Sequence, residues 1–248
     1  MPEIMFNGPS GRIEGRYHHN EDPESKIVLL LHPHPKFGGT MNNPIIHNAY
    51  YTFVKNNFSV LRFNFRGDGK SQGEYDAGIG ELSDAASALD WIQALNRDST
   101  GCWVVGFSFG AWIAMQLLMR RPEIESFISI APPANLYDFN FLAPCPSSGL
   151  IINGTDDIVA PKADTQKLVD RLKSQKGIEV HHDLIDGANH FFDNKVVDYS
   201  KKLKPSKRGE IEIVDLINKY KKNKLVKVNI TVLKFSFIFK FIFFIKLK

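Results

Sequence analysis

Residues 102–119 read CWVVGFSFGAWIAMQLLM: an apolar run of strand length, a Gly-Phe-Ser-Phe-Gly turn, and an apolar stretch of helical length. A serine projected from a sharp strand-to-helix turn needs small residues on either side, because the backbone there is strained and closely packed. Gly106 and Gly110 meet that need around Ser108. The turn also sets Ser108 at a helix N-terminus, where unpaired N–H groups and the positive end of the dipole favour a developing negative charge. The N–H of Phe109 is therefore the first candidate donor for an oxyanion. Short Gly/Ser patterns recur by chance, so the weight lies in the strand-turn-helix context.

Outward from this segment, short apolar runs alternate with stretches of helical period, the pattern of a parallel sheet covered by helices. Upstream, residues 11–19 read as part of an N-terminal β-hairpin, Lys26–Leu31 and Phe58–Phe65 as strands, and residues from about Pro44 to Asn56 as a helix. Ile79–Leu95 carries Leu82, Ala85, Ala86, Leu89 and Ile92 at near-helical spacing, with Glu81 and Asp84 in its first turn, where the dipole favours anions. Downstream, Phe127–Ile130, Leu150–Ile152 and Glu179–Ile185 read as strands, and a helix starts at Pro161 and runs to about Lys176. About twenty residues separate the strands at Phe127 and Leu150, too few for a helical cap domain.

A serine hydroxyl is a weak nucleophile at neutral pH and needs a base held in register by an acid. GTDDIVAP (Gly154–Pro161) follows one strand and brings carboxylates to the carboxyl end of the sheet; GANHF (Gly187–Phe191) follows the next and brings the imidazole of His190 to the same edge. Asp138, after the preceding strand, is a further candidate acid. His32 and His34, two apart on an extended loop, could suggest a metal site; the favoured reading is loop histidines that shape the pocket and satisfy backbone carbonyls. Arg62, Arg66, Asp68 and Ser71 could bind an anionic group, but read better as a structural turn. No Walker or dinucleotide pattern supports nucleotide binding.

GFSFG, HPHPKFGGTMNNP (His32–Pro44) and FNFRGDGKSQGEYDAGIGE (Phe63–Glu81) together resemble the serine α/β-hydrolase superfamily, specifically its small, lid-poor bacterial branch related to dienelactone hydrolase. The resemblance covers residues 1 to about 200. It implies an α/β-hydrolase fold: a mostly parallel sheet of about eight strands, helices on both faces and no large cap. The order Ser108, Asp157, His190 is that of the superfamily. In its Gly-x-x-Asp turn the acid lies three residues after glycine and about four before a helix-opening proline, which fits Asp157 and not Asp156. The second oxyanion donor comes, in this fold, from the loop after the Lys26–Leu31 strand. Pro33 and Pro35 have no N–H, leaving His34, with residues 36–39 as fallback. Dienelactone hydrolase uses cysteine where this chain has Ser108, so its substrate is not carried over. The implied activity is a cofactor-independent serine hydrolase acting on a small ester, thioester or amide. An acyltransferase or peptidase with the same triad, or a non-enzymatic binding module, are the alternatives.

Charge divides the 248-residue chain. Residues 1–200 hold 17 Lys and Arg against 24 Asp and Glu, while residues 201–248 hold 14 against 3. The overall charge of +4 describes neither part, so a nucleic-acid partner finds no support in the first. The domain division expected is 1–222 for the hydrolase and 223–248 for a basic tail rich in Phe, Ile and Lys. Phe235, Phe237, Phe239, Phe241 and Phe243 alternate like a strand, and Lys234 and Lys240 would each cost roughly 2.5 to 3.5 kcal/mol near a bilayer centre. Interfacial attachment to anionic lipid is one reading of the tail; an unselected extension in A- and T-rich codons is the favoured one. Cys102 in an apolar run and Cys145 in a Pro-rich stretch read as free thiols in a reducing compartment, and the N-terminus lacks a signal-peptide pattern, so a cytoplasmic location is expected.

Overall fold

The computed structural model describes residues 3–193. Its strands, in chain order, are β1 (Glu3–Gly8), β2 (Gly11–His18), β3 (Ile27–Leu31), β4 (Ser59–Phe63), β5 (Cys102–Phe107), β6 (Ile124–Ile130), β7 (Ser148–Gly154) and β8 (Val180–Ile185). The helices are α1 (Pro44–Lys55), α2 (Ile79–Leu95), α3 (Phe109–Leu118) and α4 (Lys162–Lys173). The strands form one sheet in the order β1-β2-β4-β3-β5-β6-β7-β8. β1 and β2 join antiparallel; from β4 onward every neighbouring pair is parallel. This is the expected α/β-hydrolase architecture.

Strands covered on both faces read as unbroken apolar runs rather than alternating ones, and β3, β4 and β5 are buried at every position. Their side chains still divide by the period of two. Ile27, Leu29, Leu31 and Val104 join one core layer with α2, α3 and α4, supplied by Leu89, Ile113 and Leu168 among others. Val28, Leu30, Val105 and Phe107 join the opposite layer with Ile46, Tyr50 and Phe53 of α1. Helices therefore cover both faces, and the 131–147 connection between β6 and β7 contains no helix, so no cap stands over the sheet there.

Several ends differ from the sequence reading. The N-terminal hairpin includes β1, which begins at Glu3. α3 starts at Phe109, directly after Ser108. β7 starts at Ser148, because Ser148 and Gly149 pair with Ser126 and Phe127 although neither looks strand-like in isolation. A one-turn 3-10 helix, Pro35–Phe37, punctuates the loop after β3. The tail from 223 lies outside the described residues.

Arg66 settles the turn after β4. Its guanidinium grips Asp84 of α2 through Nε–H to Oδ2 (2.9 Å) and an Nη2–H to Oδ1 (2.8 Å), and its backbone N–H donates to Oδ2 (3.0 Å). Bidentate geometry of this kind is stronger than a simple ion pair, and it raises the guanidinium pKa further, chiefly through the Asp84 hydrogen bonds. Arg62 donates to the Met41 carbonyl (2.7 Å) and to Asn42 Oδ1 (3.1 Å). Ser71 Oγ accepts from Glu14 N–H (3.0 Å) and donates to the Asn64 carbonyl (2.7 Å). These residues hold the scaffold.

Candidate active site

Ser108 sits in the turn between β5 and α3 with φ 55° and ψ −119°. A non-glycine residue in that region is strained and persists only where its surroundings enforce it. The enforcement is visible. Ser108 N–H donates to the Ile130 carbonyl at the end of β6 (2.9 Å), and the Ser108 carbonyl accepts from Ala111 N–H (2.9 Å). A Cβ at Gly106 would collide with the Gly110 carbonyl, and one at Gly110 with the carbonyl oxygens of Leu31 and His32. Both glycines are thus required by close backbone approach, and Gly110 ties the elbow to the end of β3.

The acid and base arrive on the two neighbouring loops at the far side of the sheet. Asp157, after β7, is buried; its Oδ1 accepts from the N–H groups of Val159 (2.9 Å) and Ala160 (2.8 Å), which fixes the carboxylate before it meets any partner. Its Oδ2 lies 2.8 Å from Nδ1 of His190, and Nε2 of His190 lies 3.0 Å from Ser108 Oγ. A carboxylate can only accept, so Nδ1 carries the proton and Nε2 presents its lone pair to the hydroxyl. The two loops are laced together: Thr155 N–H donates to the Ile185 carbonyl (3.1 Å), Asp156 N–H to the Ala188 carbonyl (3.0 Å), and Gly187 N–H to Thr155 Oγ1 (2.6 Å). Asp156 and Asp138 stand elsewhere: Asp156 Oδ1 accepts from Thr155 Oγ1 (3.0 Å), and Asp138 Oδ1 from Asn140 N–H (2.7 Å).

Phe109 is the first residue of α3, so its N–H has no acceptor within the helix. The His34 ring packs on the Phe109 ring with centroids 4.9 Å apart, which brings the loop after β3 to the same spot. His34 caps the 3-10 turn: its Nδ1 accepts from Lys36 N–H (3.2 Å), so Nε2 carries the hydrogen and donates to Tyr75 Oη (3.1 Å). Burial lowers the His34 pKa, consistent with a neutral ring. Its neighbour His32 is fully buried; Nδ1–H donates to the Pro33 carbonyl (2.7 Å) and Nε2 accepts from Phe65 N–H (3.0 Å). Burial drives the His32 pKa down to about 3. Asp68 Oδ2 approaches His32 Nε2 to 3.5 Å, but that nitrogen is a lone pair on a neutral ring, so no ion pair forms. Burial, then the charge of Glu81, pushes the Asp68 carboxyl up to about 6. Among the described residues no group of His, Cys, Asp or Glu has metal-site geometry.

Sequence reasoning singled out Ser108, Asp157, His190, Phe109 and His34, and they all meet at the carboxyl edge of the sheet. It did not find the aromatic surround. Tyr75 and Tyr137 pack around Phe109 at 6.1 and 5.9 Å, and Phe107 and Phe191 lie against His190, both at 5.2 Å. Phe191 had only its place beside His190 to mark it, and Tyr75 had no local signal.

A family model described as X-Pro dipeptidyl-peptidase (S15 family) matches residues 2–197. An uncharacterized protein of Rickettsia prowazekii (strain Madrid E) is 52% identical over 205 residues, 81% of this chain and 86% of that protein. Among solved structures, a protein of unknown function from Agrobacterium tumefaciens, assigned to the alpha/beta hydrolases, is 56% identical with a TM-score of 0.77, over 92% of this chain and 100% of that one. An alpha-beta serine hydrolase homologue from Coxiella burnetii is 31% identical with a TM-score of 0.69, over 81% and 94%. A Xanthomonas campestris α/β serine hydrolase without lid is 27% identical with a TM-score of 0.70, over 79% and 88%.

Proposed function

The chain belongs to the X-Pro dipeptidyl-peptidase (S15) family of α/β serine hydrolases, and from that premise we propose that it cleaves a small ester, thioester or amide through a Ser108 acyl-enzyme. The observation that carries this reading is the unbroken hydrogen-bonded chain from Ser108 Oγ through His190 to Asp157, at 3.0 and 2.8 Å.

Ser108 Oγ attacks the acyl carbon as His190 Nε2 takes its proton. Asp157 holds the imidazole in the required tautomer and stabilises the imidazolium that forms. The N–H groups of Phe109 and His34 receive the oxyanion; one such donor is worth about 10²- to 10³-fold in rate. His190 then returns the proton to the departing group, and water, deprotonated by His190, releases the acid and restores Ser108. No cofactor or metal enters this cycle. We read the loop and elbow motifs as those of the dienelactone-hydrolase-like branch and the location as cytoplasmic, a reading that the buried free thiols Cys102 and Cys145 support. The tail from 223 to 248 is read as an addition to the hydrolase, with membrane contact the less favoured role.

The test is fluorophosphonate labelling with peptide mapping, together with turnover of short acyl esters. Ser108 takes the label, and Ser108→Ala lowers kcat/KM by about 10⁴ or more while the protein stays folded. An unlabelled Ser108 in folded protein, with wild type and variant equally inert, would move the reading to a binding module. The family description favours one second reading, a peptidase with the same triad; faster turnover of an X-Pro-peptidyl amide than of its matched ester would establish it.

A further inference from the structure

The acid and base are followed in sequence by apolar side chains that stand in solvent. Ile158, next to Asp157, is 89% exposed, and Phe191, next to His190, is 48% exposed. Leaving half a phenylalanine in water forgoes hydrophobic stabilisation, and the local backbone enforces it. Phe192 adopts φ 59°, its N–H donates to the Asn189 carbonyl (3.0 Å), and its ring is buried in the layer that also holds Phe107 and Ile152. Asp193 N–H closes the same turn onto Asn189 Oδ1 (3.0 Å). With Phe192 turned inward as the anchor, Phe191 is turned out beside the catalytic imidazole.

The chemistry says what passes that place. When the tetrahedral intermediate collapses, the bond between the acyl carbon and the alcohol oxygen breaks while the Ser108 Oγ–acyl bond stays. The proton on His190 Nε2 goes to the departing oxygen, so the alcohol leaves neutral. The leaving oxygen must therefore sit within a hydrogen bond of Nε2, and its first carbons lie against whatever flanks the ring. Phe107 packs on the imidazole at 34° and is wholly buried; Phe191 meets it edge-on at 84° and is half open. The carbonyl side is different ground: Phe109 N–H and the rings of His34, Tyr75 and Tyr137 gather there.

We propose that Phe191 walls the leaving-group subsite and makes this enzyme selective for esters of bulky apolar alcohols, aromatic ones above all. The inference rests on the serine-hydrolase reading above and adds the alcohol to it. Edge-to-face contact with an aromatic leaving group suits the half-exposed ring.

The test compares kcat/KM for methyl acetate and benzyl acetate, whose alcohols are close in acidity, so that the ratio reads contact rather than leaving-group chemistry. Wild type favours the benzyl ester about tenfold or more, Phe191→Ala lowers the benzyl-to-methyl ratio about tenfold, and Phe191→Leu retains most of it. The ratio of methyl butyrate to methyl acetate, an acyl comparison, is the same in all three proteins. A purely structural role would slow both acetates together, so an unchanged benzyl-to-methyl ratio in Phe191→Ala overturns the proposal and leaves the hydrolase reading standing. An equal fall in the acyl ratio overturns the assignment to the leaving-group side. A wild-type protein inert to every ester, with Ser108 unlabelled, overturns both.

Discussion

His32 ties the loop after β3 to the turn after β4, and its replacement reads directly in the pH dependence of stability. The ring satisfies the Pro33 carbonyl and the Phe65 N–H at once, fully buried, with a folded-state pKa of about 3 against an ordinary 6.5. Both nitrogens are committed, so a proton has nowhere to bind without breaking the Phe65 contact. A group depressed in this way supports the fold fully above pH 6.5 and loses that support as pH falls toward 3, because only the unfolded chain takes up the proton. At about 1.4 kcal/mol for each pH unit below 6.5, the loss between pH 7.5 and 4.5 is about 3 kcal/mol. His32→Gln cannot titrate and keeps at most one of the two hydrogen bonds. It should be about 1–3 kcal/mol less stable at pH 7.5, and its deficit should vanish by pH 4.5. Urea unfolding followed by tryptophan fluorescence at the two pH values measures this. His182, also depressed by burial to about 4, is common to both proteins and cancels in the difference. Parallel pH curves for wild type and variant would refute the argument, since they would mean that the ring protonates freely in the folded state.

Two further outcomes follow from the packing. Gly110→Ala forces a Cβ onto the carbonyl oxygens at the end of β3, which should cost about 3 kcal/mol and lower kcat by displacing the loop that carries His34; a melting temperature within about 1 °C of wild type would contradict the close approach. Removing residues 224–248 should leave ester turnover within about threefold and stability within about 0.5 kcal/mol, because the eight described strands and the linked Ser108, His190 and Asp157 precede them; loss of soluble, active protein would show the tail to be part of the fold.

Most of the fold was legible because its central strands are covered on both sides and therefore continuous in apolar residues, while its helices are marked by a helical period or, for α3, by the length of an apolar stretch. What the pattern could not carry is pairing. Nothing local says that β4 lies between β2 and β3, or that Ser148 and Gly149 belong to a strand, since small residues join a sheet only because a neighbour offers hydrogen bonds. The site divides in the same way. Ser108, Asp157 and His190 could be located because each follows a strand and so must come to one edge. The contact of Tyr75 with His34 spans 41 residues and depends on how two loops cross, which no periodicity records. For the Arg62 and Arg66 segment the sequence favours a structural turn over anion binding, and its guanidinium groups are engaged by Asp84, Met41 and Asn42.

The lacing of the Thr155–Asp156 loop to the Ile185–Ala188 loop divides the catalytic machinery into two mechanical parts. The carboxylate and imidazole ride as one body on β7 and on β8, the last strand of the described sheet, whereas the hydroxyl and the proposed oxyanion donors are fastened to β5 and β3 near the middle. A disturbance at the β8 margin moves the first body as a whole, so the 2.8 Å link inside it survives and the 3.0 Å link between the bodies is the one that stretches. Proton transfer to and from the nucleophile is thus the step most exposed to peripheral change, and turnover should decline with loosening of that margin while the central strands, and the bulk of the fold, stay intact.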